Sequence, residues 1–283
     1  MKKTVAAILL LAAISACKPS APQGESAAAT GSPSNAPAAA SAPSASDAAL
    51  AKEAQDIVAQ LQAQAAQSPA PVAGTDYQLI PDGQPIAPVP GKIEVAEVFG
   101  YVCPACNGFQ PLVHAWKTSL PADVNFVYVP ALFGGPWDNY ARAFYAAESM
   151  GVLDKTHEAV YRAIHVDQSL KGERGMDTPE EIGAFYAHYG VDGKQFTETM
   201  QSFAVNGKIS RAMQFAKRWQ IDSTPSLVVN GKYLVKGGSR QDDIRIANQL
   251  IAQERAAGAA APAAATAAPA ATEPAATETA PAQ

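Results

Sequence analysis

The chain has 283 residues, a net charge of -5, three cysteines and four histidines. So mild an acidity, with no basic stripe, excludes a nucleic-acid binder that works by phosphate neutralisation. The 48% hydrophobic content overstates the core, because alanine-rich ends inflate it; only about Gly74 to Arg255 carries enough large apolar residues to fold, and its size suits one domain.

Met1-Lys2-Lys3 and the apolar run Val5 to Ala16 form a secretion signal too short to span a bilayer as a helix. Ile14-Ser15-Ala16-Cys17 resembles the bacterial lipoprotein box, in which the cysteine is lipidated and becomes the new N-terminus. The alternative is conventional cleavage near Ala16, which leaves Cys17 a stray thiol. On the lipoprotein reading, residues 1–17 are the signal with its lipidation site, and Cys17 holds the protein to the lipid bilayer on the periplasmic side. Lys18 stands where an inner-membrane retention signal would show Asp, which leans the sorting towards the outer membrane.

Residues 18–73 are expected to form an Ala/Pro/Ser-rich tether. Lys18 to Ser46 lacks the large apolar side chains needed to offset backbone ordering, and such a coil has a reach of roughly 30 Å. Within the tether, Asp47 to Gln67 places Leu50, Ile57, Val58 and Leu61 near helical spacing, which predicts a short amphipathic helix. Residues 256–283, rich in Ala, Pro and Thr, are expected to be a disordered tail.

In the domain, residues 74–255, Ile93, Val95, Glu97 and Phe99 alternate on one face of a strand. Cys103-Pro104-Ala105-Cys106 follows and opens a helix that reaches Trp116. Two thiols two residues apart at a strand-to-helix junction suit a pair that opens and closes by redox chemistry. A zinc half-site and incidental cysteines are the other readings. A zinc site needs about four ligands, and no second C-x-x-C or close His pair completes one; His114, His157, His165 and His188 are scattered and read as surface or semi-buried residues. No metal or cofactor is expected. Cys106 shares a helix face with Phe109, Val113 and Trp116 and should point into the core, whereas Cys103 should face solvent at the helix tip. Pro104 suits the first helical position, and Pro111 should kink the helix.

Val124 to Val129 is a second buried strand, closed by Pro130. A helical stretch follows: Trp137 to Met150, Asp154 to His165, a helix begun by the capping box Thr178 to Glu181 and stopped near Gly190, another begun by Asp192 with Gln195, and Lys208 to Trp219. Ser226 to Val229 and Lys232 to Val235 are strands joined by a tight Asn230-Gly231 turn, and Ser239 with Asp242 caps a last helix ending near Arg255. The order predicts an α/β thioredoxin fold, a central mixed sheet with flanking helices, carrying an inserted all-helical subdomain at about 136–220.

With these residues in view, the domain resembles the DsbA-like thiol:disulfide oxidoreductases of the bacterial periplasm. The likeness rests on the C-x-x-C pair, on Glu97 six residues before Cys103, on the helical insertion, and on Thr224-Pro225 leading into Ser226 to Tyr233. It implies that Pro225 is cis and lies against the active cysteines, that the Thr224 backbone meets an extended client, and that exported proteins are the clients. It also implies a membrane re-oxidising partner of the DsbB kind. The other reading of Pro225 is a proline that merely starts an edge strand. Ala105 departs from the histidine of the best-known members. Pro104 and Ala105 are thus candidate redox-tuning positions, and without a charged or donating side chain at Ala105 the pair is expected to oxidise more weakly.

The residues also suggest a mechanism. Cys103 at a helix N-terminus should have a lowered pKa, and Glu97, if buried, should have a raised one and exchange a proton with Cys106; the alternative is an exposed strand-end glutamate. The Thr224 hydroxyl is a further candidate for tuning the potential. Two function classes follow: a lipid-anchored enzyme that introduces or exchanges disulfides in exported proteins, and a binding, chaperone or surface-antigen lipoprotein in which the cysteines do little.

Overall fold

The computed structural model describes residues 45–266, with side chains through residue 258. The signal segment, Cys17, the tether before residue 45 and the tail beyond residue 266 lie outside the described residues.

Five strands make one mixed sheet in the order β1-β5-β4-β2-β3. They are β1 (Tyr77–Leu79), β2 (Ile93–Phe99), β3 (Val124–Pro130), β4 (Ser226–Val229) and β5 (Tyr233–Val235). β2 runs parallel to β3 and antiparallel to β4, so its backbone is paired on both sides. Helices cover both faces of β2, and every residue after Ile93 is buried. Glu94 is accommodated there because its carboxylate accepts from the N–H groups of Ile86 (2.7 Å) and Ala87 (2.6 Å). The β4–β5 turn forms at Asn230-Gly231 as expected, with Asn230 at φ 50° and Gly231 at φ 65°, both left-handed, and the Lys232 N–H donating back to the Val229 carbonyl at 3.0 Å.

On one face of the sheet, Val95, Leu227, Val229 and Val235 pack against helices α2 (Pro104–Ser119) and α8 (Arg240–Thr266) through Phe109, Val113, Trp116, Ile244 and Leu250. Helix α1 (Ala45–Gln67) joins this layer by burying Ala54, Val58 and Leu61. The boundary expected at residue 74 therefore moves: α1 belongs to the folded body rather than to a tether. Its expected stripe holds at Val58 and Leu61, with Ile57 half-buried against the same cluster, but Leu50 is 59% exposed and Ala54 takes a core position instead. Helix α8 likewise continues past its expected end near Arg255 to Thr266.

The opposite face carries the inserted helices α3 (Pro136–Ser149), α4 (Leu153–His165), α5 (Pro179–Ala187), α6 (Gly193–Met200) and α7 (Phe203–Arg218). The capping box at Thr178 and Glu181 forms in both directions, and Asp192 accepts from the Gln195 N–H at 2.7 Å. Helix α7 starts at Phe203, ahead of the expected Lys208, because the Ser202 hydroxyl accepts from the Val205 N–H and caps it there. Strand β1, unforeseen in the sequence, is three residues long and pairs with β5 far downstream, Tyr77 opposite Val235.

Candidate active site

β2 ends at Phe99, and four residues later Cys103 becomes the N-cap of α2. Gly100 makes the exit possible: a Cβ on it would collide with the Trp137 ring of α3. The loop is tied to the insertion by His165, whose Nε2 donates to the Tyr101 carbonyl at 2.7 Å. The Tyr101 hydroxyl meets His157 Nδ1 at 2.9 Å within a cluster that includes Phe99, Phe144 and Tyr161. His157 is therefore not a surface residue. It is buried, and burial holds its pKa down at about 3, so it stays neutral.

Both cysteines are free thiols. Pro104 occupies the first turn as expected, where no N–H bond is lost, and α2 runs unbroken through Pro111. The Cys106 N–H donates to Cys103 Sγ at 3.3 Å. Cys106 itself is fully buried, as its helix face predicted, but Cys103 is only 7% exposed, not open at the helix tip. The reason lies across the site, where the Cys103 thiol donates to the Thr224 carbonyl at 3.6 Å and the segment carrying Pro225 covers it. The Thr224–Pro225 peptide bond is cis.

The two sulfurs differ in acidity. Hydrogen bonding from the Cys106 side chain does most to lower the Cys103 pKa. The Thr224 side chain and the N–H groups of Cys106 and Ala105 add to it against an opposing burial penalty, and the thiol settles at about 5. Ala105 contributes its backbone alone. Cys106 is driven well above its ordinary value, first by burial and then by the Cys103 sulfur. At neutral pH the pair thus holds a thiolate at the N-terminus of α2 and a protonated thiol beneath it.

Glu97 is fully buried, which removes the exposed strand-end alternative. Burial raises its pKa to about 8; Arg240 and Lys117 oppose the rise, and the Cys103 charge adds to it. Neither carboxyl oxygen has a hydrogen-bond partner among the described residues, an arrangement tolerable for a neutral acid and costly for an anion. Gln110 and Tyr161 also carry unpartnered buried polar atoms, and Glu97 and Cys106 both act on the Tyr161 hydroxyl electrostatically. The structure thus brings Glu97, Cys103, Cys106, Thr224 and Pro225 to one place; Cys17 lies outside the described residues.

Two contributors were not visible in the sequence. Arg240 donates to the Pro225 carbonyl at 3.1 Å and to Asp243 at 2.9 Å, pinning the cis-proline segment to the start of α8. The His165–Tyr101 bond holds the cysteine loop from the other side. Both join residues distant in sequence, and no local pattern announces them.

A dithiol pair at a helix N-terminus, facing a cis-proline on a thioredoxin-type sheet, defines the class as a thioredoxin-fold thiol:disulfide oxidoreductase. Comparison with known proteins narrows this. Residues 94–249 match the family model of the DSBA-like thioredoxin domain. The chain is 41% identical over 209 residues to the thiol:disulfide interchange protein DsbA of Pseudomonas syringae pv. tomato, a match covering 72% of this chain and 95% of that protein. The crystal structure of DsbA from Xylella fastidiosa superposes with a TM-score of 0.65 at 42% identity, over 66% of this chain and all (100%) of that one. Pseudomonas aeruginosa DsbA gives a TM-score of 0.61 at 41% identity, covering 67% and 97%. The chain belongs to the DsbA-like family of thiol:disulfide oxidoreductases.

Proposed function

We propose that this protein introduces disulfide bonds into exported proteins through Cys103 and Cys106, from a periplasmic position anchored to the membrane by a lipid on Cys17. The observation that carries the chemistry is the split in acidity between the two cysteines, with Cys103 at about 5 and Cys106 far above it.

In the oxidised protein, a client thiolate attacks Cys103 Sγ and forms a mixed disulfide. The Cys103–Cys106 bond breaks, and the Cys106 sulfur leaves with the electron pair. Glu97, neutral and buried beside the pair, supplies the proton that the Cys106 sulfur needs in so apolar a place. A second client thiolate then attacks the client sulfur of the mixed disulfide and expels Cys103 as a thiolate. That charge is what the Cys106 N–H, the Thr224 side chain and the helix N-terminus accommodate. Two electrons pass from the client dithiol to the Cys pair, and a membrane oxidase of the DsbB kind takes them off again. Thr224 and Pro225 bound the surface on which the client strand lies.

The test is oxidation of a reduced dithiol peptide by the oxidised protein. Wild type should convert it stoichiometrically, and Cys103→Ser should abolish conversion. A Cys103→Ser variant with unchanged client affinity and an unchanged cellular effect would favour a binding lipoprotein instead. For the anchor, Cys17→Ser should release the protein from membranes into the soluble periplasmic fraction; continued membrane retention would overturn that part.

A further inference from the structure

We propose that a cavity beside Pro225 is a subsite for an acidic side chain of the client, close to the cysteine that Cys103 engages. This rests on the oxidoreductase reading and names a class of substrate for it.

The cavity, about 350 Å³, is lined by Pro225, Ser226, Leu227, Lys236, Ser239 and Arg240 among others. It exists because the sheet is incomplete there. β5 pairs with β4 only at Leu234 opposite Val228 and Tyr233 opposite Val229. Beyond Leu234 its pairing with β4 stops, while it stays beside β1, with the Lys236 N–H donating to the Asp76 carbonyl at 2.8 Å. Ser226 and Leu227 are paired with β2 on one side and have no strand on the other. An extended segment passing the Thr224–Pro225 bond would enter this gap.

The gap is electropositive. Among the described residues Lys236 has no ion-pair partner, and it is exposed. The Arg240 side chain is 47% exposed; its Nη1 donates to the Pro225 carbonyl and Asp243 and its guanidinium lies over the Phe109 ring at 5.8 Å, which leaves its other N–H groups without a hydrogen-bond partner among the described residues. Among the described residues Asp243 is the one carboxylate lining the cavity, and it is 10% exposed, accepting from the Gly237 N–H as well as from Arg240. A carboxylate arriving from a client would therefore meet an ammonium and the free part of a guanidinium, whereas a client lysine would meet repulsion. The Ser239 hydroxyl, which accepts from the Asp242 N–H at 3.1 Å, keeps its proton for an incoming oxygen, whereas the Ser226 hydroxyl already donates to the Ser223 carbonyl.

The experiment uses two peptides identical except for a Glu or a Lys a few residues from a single position where the client cysteine is replaced by serine. Their affinity for the oxidised full-length protein is read by fluorescence anisotropy. The Glu peptide should bind about tenfold more tightly at low ionic strength, and the gap should close as salt screens it. Lys236→Glu should reverse the order. Equal affinities, no detectable binding of the Glu peptide, or an order unchanged in Lys236→Glu would overturn the subsite. Turnover of a neutral dithiol peptide is measured alongside. Its loss would count against the oxidoreductase reading, which the affinity ratio does not test.

Discussion

The Cys106 N–H points at Cys103 Sγ from 3.3 Å, so the residue that closes the disulfide also stabilises the charge left when it opens. The same short spacing that makes the pair lets one cysteine tune the other. That coupling places the thiolate on Cys103 and the proton on Cys106, and the pH dependence of the reduced protein's stability follows from it.

Reduction should stabilise the protein in a pH-dependent way. Cys103 has a folded pKa of about 5 against an ordinary value of 9.0, so its contribution is full above the ordinary value and is lost as pH falls through about 5. The oxidised protein has no such group, and the short loop its disulfide closes adds a term that does not vary with pH. The melting temperature of the reduced form minus that of the oxidised form should therefore rise from pH 5 to pH 8. A difference that stays flat would contradict the assignment of the thiolate.

Glu97 should make the protein less stable as pH rises. Its pKa is about 8 in the fold and 4.5 ordinarily, so between these values the folded state holds a proton that the unfolded state has released. Glu97→Gln removes this dependence. The variant should match wild type near pH 4.5 and exceed it at pH 8 by at least about 2–4 °C, which corresponds to about 1 kcal/mol at this size. Parallel melting curves across that range would rule out a buried neutral acid. The same variant should slow formation of the mixed disulfide, because the Cys106 sulfur leaves the Cys103–Cys106 bond without its proton donor; the oxidised form should persist longer when mixed with a reduced client.

Helix α1 should contribute to the stability of the whole domain. Leu61 is 6% exposed and packs in one cluster with Phe109 and Trp116 of α2 and Leu250 of α8. Leu61→Ala should cost about 2–5 kcal/mol in denaturant unfolding, whereas Leu50→Ala, at a 59% exposed site, should cost little. Equal small effects at both positions would return α1 to the tether.

The parts of this structure legible in the sequence are those governed by neighbours along the chain. The Thr178–Glu181 box, the Asp192 and Ser239 caps and the Asn230-Gly231 turn each satisfy backbone groups a few residues away, and all of them form. The cysteine pair at the start of α2 and the core-facing side of Cys106 were legible for the same reason. What the sequence hid depends on distant partners. Strand β1 is too short to show a period and exists through β5. The burial of Cys103 is imposed by Thr224, and that of Ala54, Val58 and Leu61 by α2 and α8. His157 looked like any isolated histidine until folding set it against Tyr101.

The most direct measurement is the rate of alkylation of Cys103 in the reduced protein as a function of pH. The account predicts a titration with its midpoint near about 5, as the hydrogen bonds from Cys106 and Thr224 require. A midpoint near the ordinary value of 9.0 would contradict it.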